Sequence, residues 1–356
     1  MKNIIIAAGG TGGHISPGVA LVEYILDNKA SLDIENVYIH SLKRNKDNPD
    51  LKEAGCEILW HNIPQLNWKI PFFIFHYIYY ILKTFISFFF RKIDVVIAMG
   101  GYSCIPSLIY AIVFRKKIFL CEQNRVSGKV IRIFSKFAHK ISYSFPTEDI
   151  APNVETKVNG NPLRTKIFPD KKVAQEKNKH LRPKEKMNIL VMGGSQGARQ
   201  INNMVLATLN NTDITKQFNF RVLTGSNLYE EAKKKTASSV DLISYSQDMK
   251  KHYEWANLII ARSGAGVISE ASLHALPMIL VPYPFATDNH QLANAIYFKE
   301  KFGAIVINQM NEDNTFLMKI LIELGNDRNS LVTMSMQSLS ASFPNAAKDT
   351  IEFFLK

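Results

Sequence analysis

The sequence reads as an α/β protein built from two Rossmann-like domains, and three observations carry that reading. Short apolar runs at residues 4–8, 95–99, 118–121, 189–192, 258–261 and 278–281 end in glycine or a polar turn, as buried parallel strands do. Stretches of helical periodicity lie between them, at 17–27 and 201–209 for example, so strands and helices alternate. The pattern then restarts: IIIAAGGTGG at 4–13 opens one half and ILVMGGSQG at 189–197 opens the other.

Length and composition agree with two cores. The chain has 356 residues, 46% hydrophobic and 21% charged, and single domains usually run to roughly 100 to 200 residues. We expect an N-terminal domain over 1–163, a C-terminal domain over 164–343, and a last helix over 344–356 that packs back on the first domain. Residues 170–188, rich in lysine and glutamate and containing Pro183, read as a solvated loop or linker. Cys56, Cys104 and Cys121 are too few and too widely spaced for a disulfide framework or a zinc site, which fits a reducing cytoplasm. The opening apolar run is too short, and too soon followed by glycines, for a signal peptide.

The first glycine loop, Gly9 to His14, follows a strand and precedes a helix expected to begin near Pro17, where proline suits a first turn. Such a loop can hold a phosphate, because backbone N–H groups approach the anion closely and a helix N-terminus lies behind them. It is not the dinucleotide fingerprint: counted from Gly10, the third glycine of G-x-G-x-x-G falls at Ile15. A nucleotide-binding oxidoreductase is therefore disfavoured.

Residues 70–90, IPFFIFHYIYYILKTFISFFF, are long enough to span a bilayer as a helix. On a helix His76, Tyr80, Lys83, Thr84, Ser87 and Arg91 fall near one face, leaving a broad apolar face of Phe72, Phe73, Tyr79, Leu82, Ile86 and Phe89. Lys83 near the middle would cost roughly 3 kcal/mol in a true span, so a surface-lying or core helix is the expectation. Between 115 and 140 there are eight Lys or Arg against one acid, Glu122, and Lys129, Arg132, Lys136 and Lys140 share a helical face by spacing. Beside an aromatic-rich helix, such a stripe suits an anionic membrane surface. The formal net charge of +12 is compatible with acidic lipid, a phosphorylated substrate or nucleic acid, but no nucleic-acid-binding pattern is present.

The second loop, Gly193 to Ala198, repeats the first and adds the Ser195 hydroxyl. Arg262 to Glu270 again joins a strand to a helix, with Glu270 in the first turns, where a carboxylate can accept from both ribose hydroxyls.

GGTGGH at 9–14, MGGYSCIPS at 99–107, EQN at 122–124, GNPLR at 160–164, GGSQGA at 193–198, RSGAGVISE at 262–270 and LPMILVPYP at 276–284, followed by Asp288 and Gln291, together resemble the ordered motifs of the lipid I N-acetylglucosaminyltransferase (MurG) family. The resemblance covers most of the chain. It implies a GT-B glycosyltransferase fold, two Rossmann-like domains facing a cleft, with the donor nucleotide mainly on the C-terminal half and the lipid acceptor on the N-terminal half. It implies an inverting transfer of N-acetylglucosamine from UDP-N-acetylglucosamine to the muramyl 4-hydroxyl of lipid I, giving lipid II for peptidoglycan, at the cytoplasmic face of the cell membrane. Another GT-B lipid glycosyltransferase is the alternative.

By the same resemblance Ser195 and Gln196 lie near the donor phosphates and sugar, Glu270 at the ribose, Ala265, Gly266, Val267, Ile268 and Ser269 along the nucleotide, and Ser246 and Met249 near uracil. Asn124, Arg164 and Gln291 contact the donor, and Thr11, Gly12 and Gly13 cradle the acceptor diphosphate or the donor sugar. Arg125 and Ser246 depart from the usual residues of the family at their positions. His14, with an unperturbed pKa of about 6.5, is the favoured general base, Glu122 the second candidate, and Tyr102 orients substrate. Asp-x-Asp is absent from the sequence, so no catalytic metal and no cofactor are expected.

Overall fold

A computed structural model gives the structure of the chain and describes residues 2–10, 12–64, 73–147, 151, 153–177, 185–194, 197–236 and 240–356. The chain divides into two compact units, Met1–Thr165 with Asn345–Lys356, and Lys166–Pro344.

The first unit alternates β1 (Lys2–Ala7), α1 (Gly12–Asp27), β2 (Ile34–Leu42), α2 (Pro49–Lys52), β3 (Glu57–His61), α3 (Phe73–Phe90), β4 (Val95–Ala98), α4 (Ile105–Val113), β5 (Lys117–Glu122), α5 (Lys129–Phe134), β6 (Lys140–Tyr143) and β7 (Glu155–Val158). All seven strands are parallel, in the order β3-β2-β1-β4-β5-β6-β7. Alternate residues of β1 feed opposite faces. Ile4 and Ile6 pack with Ile15, Val19 and Val22 of α1, while Ile5 and Ala7 pack with Phe88, Leu108 and Tyr110 of α3 and α4. Helices therefore cover both faces, and the strands read as continuous apolar runs. The C-terminal helix Ala346–Leu355 joins the α1 face. Phe354 stacks on Phe119 at 4.7 Å and 3°, and Lys140 Nζ donates to Phe353 O at 2.9 Å.

Two local expectations are corrected here. Helix α1 begins at Gly12, not near Pro17, and Pro17 lies inside it. A proline there forfeits one bond, to the carbonyl of Gly13, in a helix long enough to bear that loss. The basic stripe also does not run along one helix: α5 ends at Phe134, a 3₁₀ turn covers Ser135–Phe137, and Lys140 opens β6. Lys129, Arg132 and Lys136 are exposed, whereas Lys140 is taken up by Phe353 O and Glu155.

The second unit runs α6 (Lys171–Gln175), β8 (Met187–Met192), α7 (Arg199–Thr208), α8 (Thr212–Gln217), β9 (Phe218–Leu223), α9 (Tyr229–Lys234), β10 (Asp241–Ile243), α10 (Met249–Trp255), β11 (Leu258–Ala261), α11 (Ala265–Leu273), β12 (Met278–Leu280), α12 (His290–Phe302), β13 (Ile305–Val306), α13 (Asn314–Asn326) and α14 (Arg328–Ser340). Its six parallel strands take the order β10-β9-β8-β11-β12-β13. Its core gathers Ile189 and Val191 of β8, Ile201 and Val205 of α7, and Leu317 and Leu321 of α13.

Each sheet reverses its strand order once, between β1 and β4 in the first unit and between β8 and β11 in the second. In an open α/β sheet the crevice beyond the carboxyl ends of such a strand pair is where ligands bind.

Candidate active site

The first switch point receives GGTGGH after β1 and MGGYSC after β4. Gly12 and Gly13 are exposed at the head of α1, and half-buried His14 lies in its first turn. His14 packs on the second loop: a Cβ at Gly100 would come 3.3 Å from His14 Nε2, and one at Gly101 3.5 Å from its Cε1. Gly100 has φ +97° and Gly101 φ +75°, so the backbone favours glycine at both, and at Gly100 the imidazole adds a tight contact. The Cys104 thiol ties the two loops, donating to Ala7 O at 3.0 Å and Gly100 O at 2.9 Å. Burial pushes that thiol up to about 12, which keeps it protonated. Half-buried Tyr102 borders a groove with Arg44, Asn62 and Ile63, the Arg44 guanidinium lying 5.9 Å from its ring centroid. Thr11 lies outside the described residues.

Glu122 ends β5 and is bound by the chain that follows it. It is buried, Oε1 accepts from Asn124 N at 2.9 Å and Asn124 Nδ2 at 3.4 Å, and Oε2 accepts from Gly128 N at 2.7 Å. Burial raises its pKa, opposed by these donors. Its carboxylate closes the 122–128 loop and fixes the start of α5. Asn124 is half-buried beside it.

Arg164 is held by side chains of its own unit. It is only 6% exposed, within a cluster of three carboxylates of its own unit. Its Nε donates to Glu23 Oε1 at 2.8 Å, and its Nη1 to Asp50 Oδ1 at 2.6 Å and Glu53 Oε2 at 3.0 Å. Desolvation lowers its pKa and these partners raise it, with a net rise. Contact with a donor diphosphate would require it to leave all three. Three acids on α1 and near α2 carry no signal in sequence that they converge on a distant arginine.

At the second switch point, Gly197 at φ +75° lies so close to Thr224 that a Cβ would meet its carbonyl oxygen at 2.0 Å, which draws the loop after β8 against the one after β9. Ser195 and Gln196 lie outside the described residues. The loop after β11 is tied to α12: Ser263 Oγ donates to Gln291 O at 2.8 Å, and Asn294 Nδ2 to Ser263 O at 3.0 Å. Gln291 Oε1 accepts from Tyr283 N at 3.0 Å, so its side chain is turned to the loop after β12. Buried Arg262 donates to Val281 O at 2.9 Å and Pro282 O at 3.1 Å, which fixes the loop after β12. Burial brings its pKa down to about 10, leaving it charged at neutral pH.

Along α11, Gly266, Val267, Ser269 and Glu270 are half-buried, but the side chains of Ala265 and Ile268 are buried. The half-buried residues lie between and after them, so what Ala265 and Ile268 present at the surface of α11 is backbone. Ser246 Oγ accepts from Asp248 N at 3.2 Å, in the turn before Met249 opens α10. Glu270 Oε2 accepts from the hydroxyl of fully buried Tyr253 on α10, at 2.7 Å, a partner the motif reading missed.

Two Rossmann-like units, each with glycine-rich loops at its switch point, are the GT-B fold, and the family models add the class, glycosyltransferase. The chain belongs to glycosyltransferase family 28: the model of the N-terminal domain of that family matches residues 4–143 and that of its C-terminal domain residues 188–350. It is 52% identical over 354 residues, 99% of each chain, to the UDP-N-acetylglucosamine–N-acetylmuramyl-(pentapeptide) pyrophosphoryl-undecaprenol N-acetylglucosamine transferase of Leptospira interrogans. To the transferase of the same name from Francisella philomiragia it is 31% identical over 379 residues, covering 100% of this chain and 96% of that one. The crystal structure of Acinetobacter baumannii MurG has the same fold, with a TM-score of 0.80 at 23% identity over 99% of each chain.

Proposed function

We propose that the protein transfers N-acetylglucosamine from UDP-N-acetylglucosamine to the muramyl 4-hydroxyl of lipid I and forms lipid II. The single observation that carries this reading is 52% identity across 99% of the chain to a transferase of that name. The disposition of the motifs supports it. The hydroxyl attacks the anomeric carbon, the bond to the UDP oxygen breaks with inversion, and the hydroxyl proton passes to a base. His14, at the head of α1 and packed on Gly100 and Gly101, is that base. The N–H groups of Gly12 and Gly13 at the same helix start face the acceptor diphosphate or the donor sugar. In the second unit Glu270 takes the ribose hydroxyls, the backbone of Ala265 to Ser269 the nucleotide, Ser246 and Met249 the uracil side, and Gln291 the sugar. Radiolabelled UDP-N-acetylglucosamine with a short-chain lipid I analogue tests donor, acceptor and reaction together.

We also propose that the first unit docks on an anionic membrane from its α3 face. Helix α3 turns its greasy side outward: Leu82, Ile86 and Phe89 are each more than half exposed, whereas Thr84 is buried and donates to Tyr80 O at 2.8 Å. Phe85 and Phe88 hold the helix on α4 through Tyr110, at 5.8 and 5.1 Å. Val113 and Phe114 of the adjoining α4 end, and Ile133 and Phe137 of α5 and its turn, are also exposed. Lys129, Arg132 and Lys136 are interleaved with that last pair. Exposed apolar side chains on α3, α4 and α5, with cations interleaved on α5, suit a lipid interface. Among the described residues no helix is long and apolar enough to cross a membrane. Sedimentation with phosphatidylglycerol vesicles, at low and high salt, tests the docking.

A further inference from the structure

We propose that Tyr253 is a positioning residue of the donor site, holding the Glu270 carboxylate in the orientation that receives the ribose hydroxyls. The inference rests on the donor-site reading of Glu270 given above.

A buried tyrosine hydroxyl needs a partner, and Tyr253 finds one in Glu270 Oε2 at 2.7 Å, with Met192 Sδ at 3.6 Å behind it. Glu270 is half-buried in the second turn of α11. A glutamate there has three side-chain torsions to order before it can serve two hydroxyls. A donor fixed from behind removes part of that cost before the ligand arrives. Burial, and then the Glu270 charge, push the phenol well above its ordinary range, so the proton stays on Tyr253 and the bond keeps its direction.

Tyr253 is itself held from three sides. Its ring lies 5.1 Å from that of His274, and the neutral His274 donates from Nε2 to Ile167 O at 2.7 Å. Helix α10 is capped at its start by Asp248, which accepts from Lys251 N at 3.3 Å. At its end Lys177 Nζ donates to Tyr253 O at 3.2 Å and Glu254 O at 2.8 Å. Tyr253 follows Met249 by four residues, one turn along the same face. A short clamped helix thus carries the base-side residue at its head and the support of the ribose carboxylate one turn later.

The test is donor kinetics of the full chain for wild type, Tyr253→Phe, Glu270→Ala and the double variant, with UDP-N-acetylglucosamine and with its 2′-deoxyribose analogue. Tyr253→Phe should raise donor KM about 5- to 20-fold, less than the full loss of a hydrogen bond to a charged acceptor because the carboxylate itself remains, with kcat within a few-fold and an unchanged circular dichroism spectrum. That rise should shrink with the deoxy donor and be absent in the Glu270→Ala background, because the two residues act as one unit. An equal rise with both donors and in both backgrounds would mean general loosening and overturn the proposal. No rise for Tyr253→Phe beside a large one for Glu270→Ala would overturn it too, while leaving the ribose reading intact. An unchanged KM for Glu270→Ala would remove the ribose reading, and this inference with it.

Discussion

The imidazole of His14 packs closely on Gly100: a Cβ there would sit 3.3 Å from His14 Nε2, a tight contact. His14→Ala should therefore lower kcat by roughly 10² to 10⁴-fold, the range for loss of a positioned base, with donor KM nearly unchanged. Gly100→Ala should also lower kcat, since it both strains a backbone at φ +97° and displaces the ring. Steady-state kinetics reads both variants, and a His14→Ala kcat within a few-fold of wild type would move the proton to another acceptor.

Glu270→Ala should raise donor KM and leave acceptor KM alone, because only the ribose loses a charged acceptor, at about 1.5 to 3 kcal/mol per hydrogen bond. Titration calorimetry with UDP gives the same quantity without turnover. An unchanged affinity would place the ribose elsewhere.

Arg164→Met should destabilise the first unit by about 1 to 3 kcal/mol. The change removes a buried cation from three carboxylates, which then repel one another, although their partial exposure moderates the loss. Donor KM should change little. A variant that melted like wild type but bound UDP-N-acetylglucosamine poorly would return Arg164 to the donor site.

Acid should destabilise the fold through buried histidines. Burial lowers His61 and His274 to about 4 from an ordinary 6.5. Their folded pKa values are depressed, so the unfolded chain binds more protons between pH 6.5 and 4, and stability is present above 6.5 and lost as pH falls toward 4. His61 Nε2 is buried without a partner, and its ring lies 4.1 Å from that of His40. His61→Phe should therefore flatten the fall of melting temperature from pH 7.5 to pH 5. An equally steep fall in the variant would assign the acid sensitivity to other groups.

Replacing Leu82, Ile86 and Phe89 with serine removes apolar surface worth about 25 cal/mol per Å² buried, and should weaken binding to anionic vesicles while leaving turnover of a soluble short-chain acceptor largely intact. Wild-type binding should also fall at 1 M salt, where the Debye length is about 3 Å. Protein that stayed on vesicles through high salt and alkaline carbonate would contradict a peripheral attachment.

The fold was legible because its signals are local: apolar strands, glycine loops after β1 and β8, and a restart near residue 189 are visible without partners. The site was legible to the extent that it lies on those loops, as His14 and Glu270 do. What escaped was long-range. The three acids around Arg164 lie 111 to 141 residues away in sequence, and nothing in EQN reveals that Glu122 is buried and bound by the chain that follows it. Tyr253 sits in a mostly polar segment, MKKHYEW, where only the packing shows that the one inward phenol meets a carboxylate on the next helix. In α3 the period was read correctly, but which face meets the core was not in the period: Thr84 went inward because α4 offered aromatic contacts to Phe85 and Phe88 on that side.

The most direct measurement of the central claim is transfer of radiolabelled N-acetylglucosamine by the purified protein to a short-chain lipid I analogue, with the anomeric configuration of the product determined by NMR. The expected product is a β-linked disaccharide lipid formed from UDP-N-acetylglucosamine, dependent on His14. No label in the lipid, or label with retained α configuration, would contradict it.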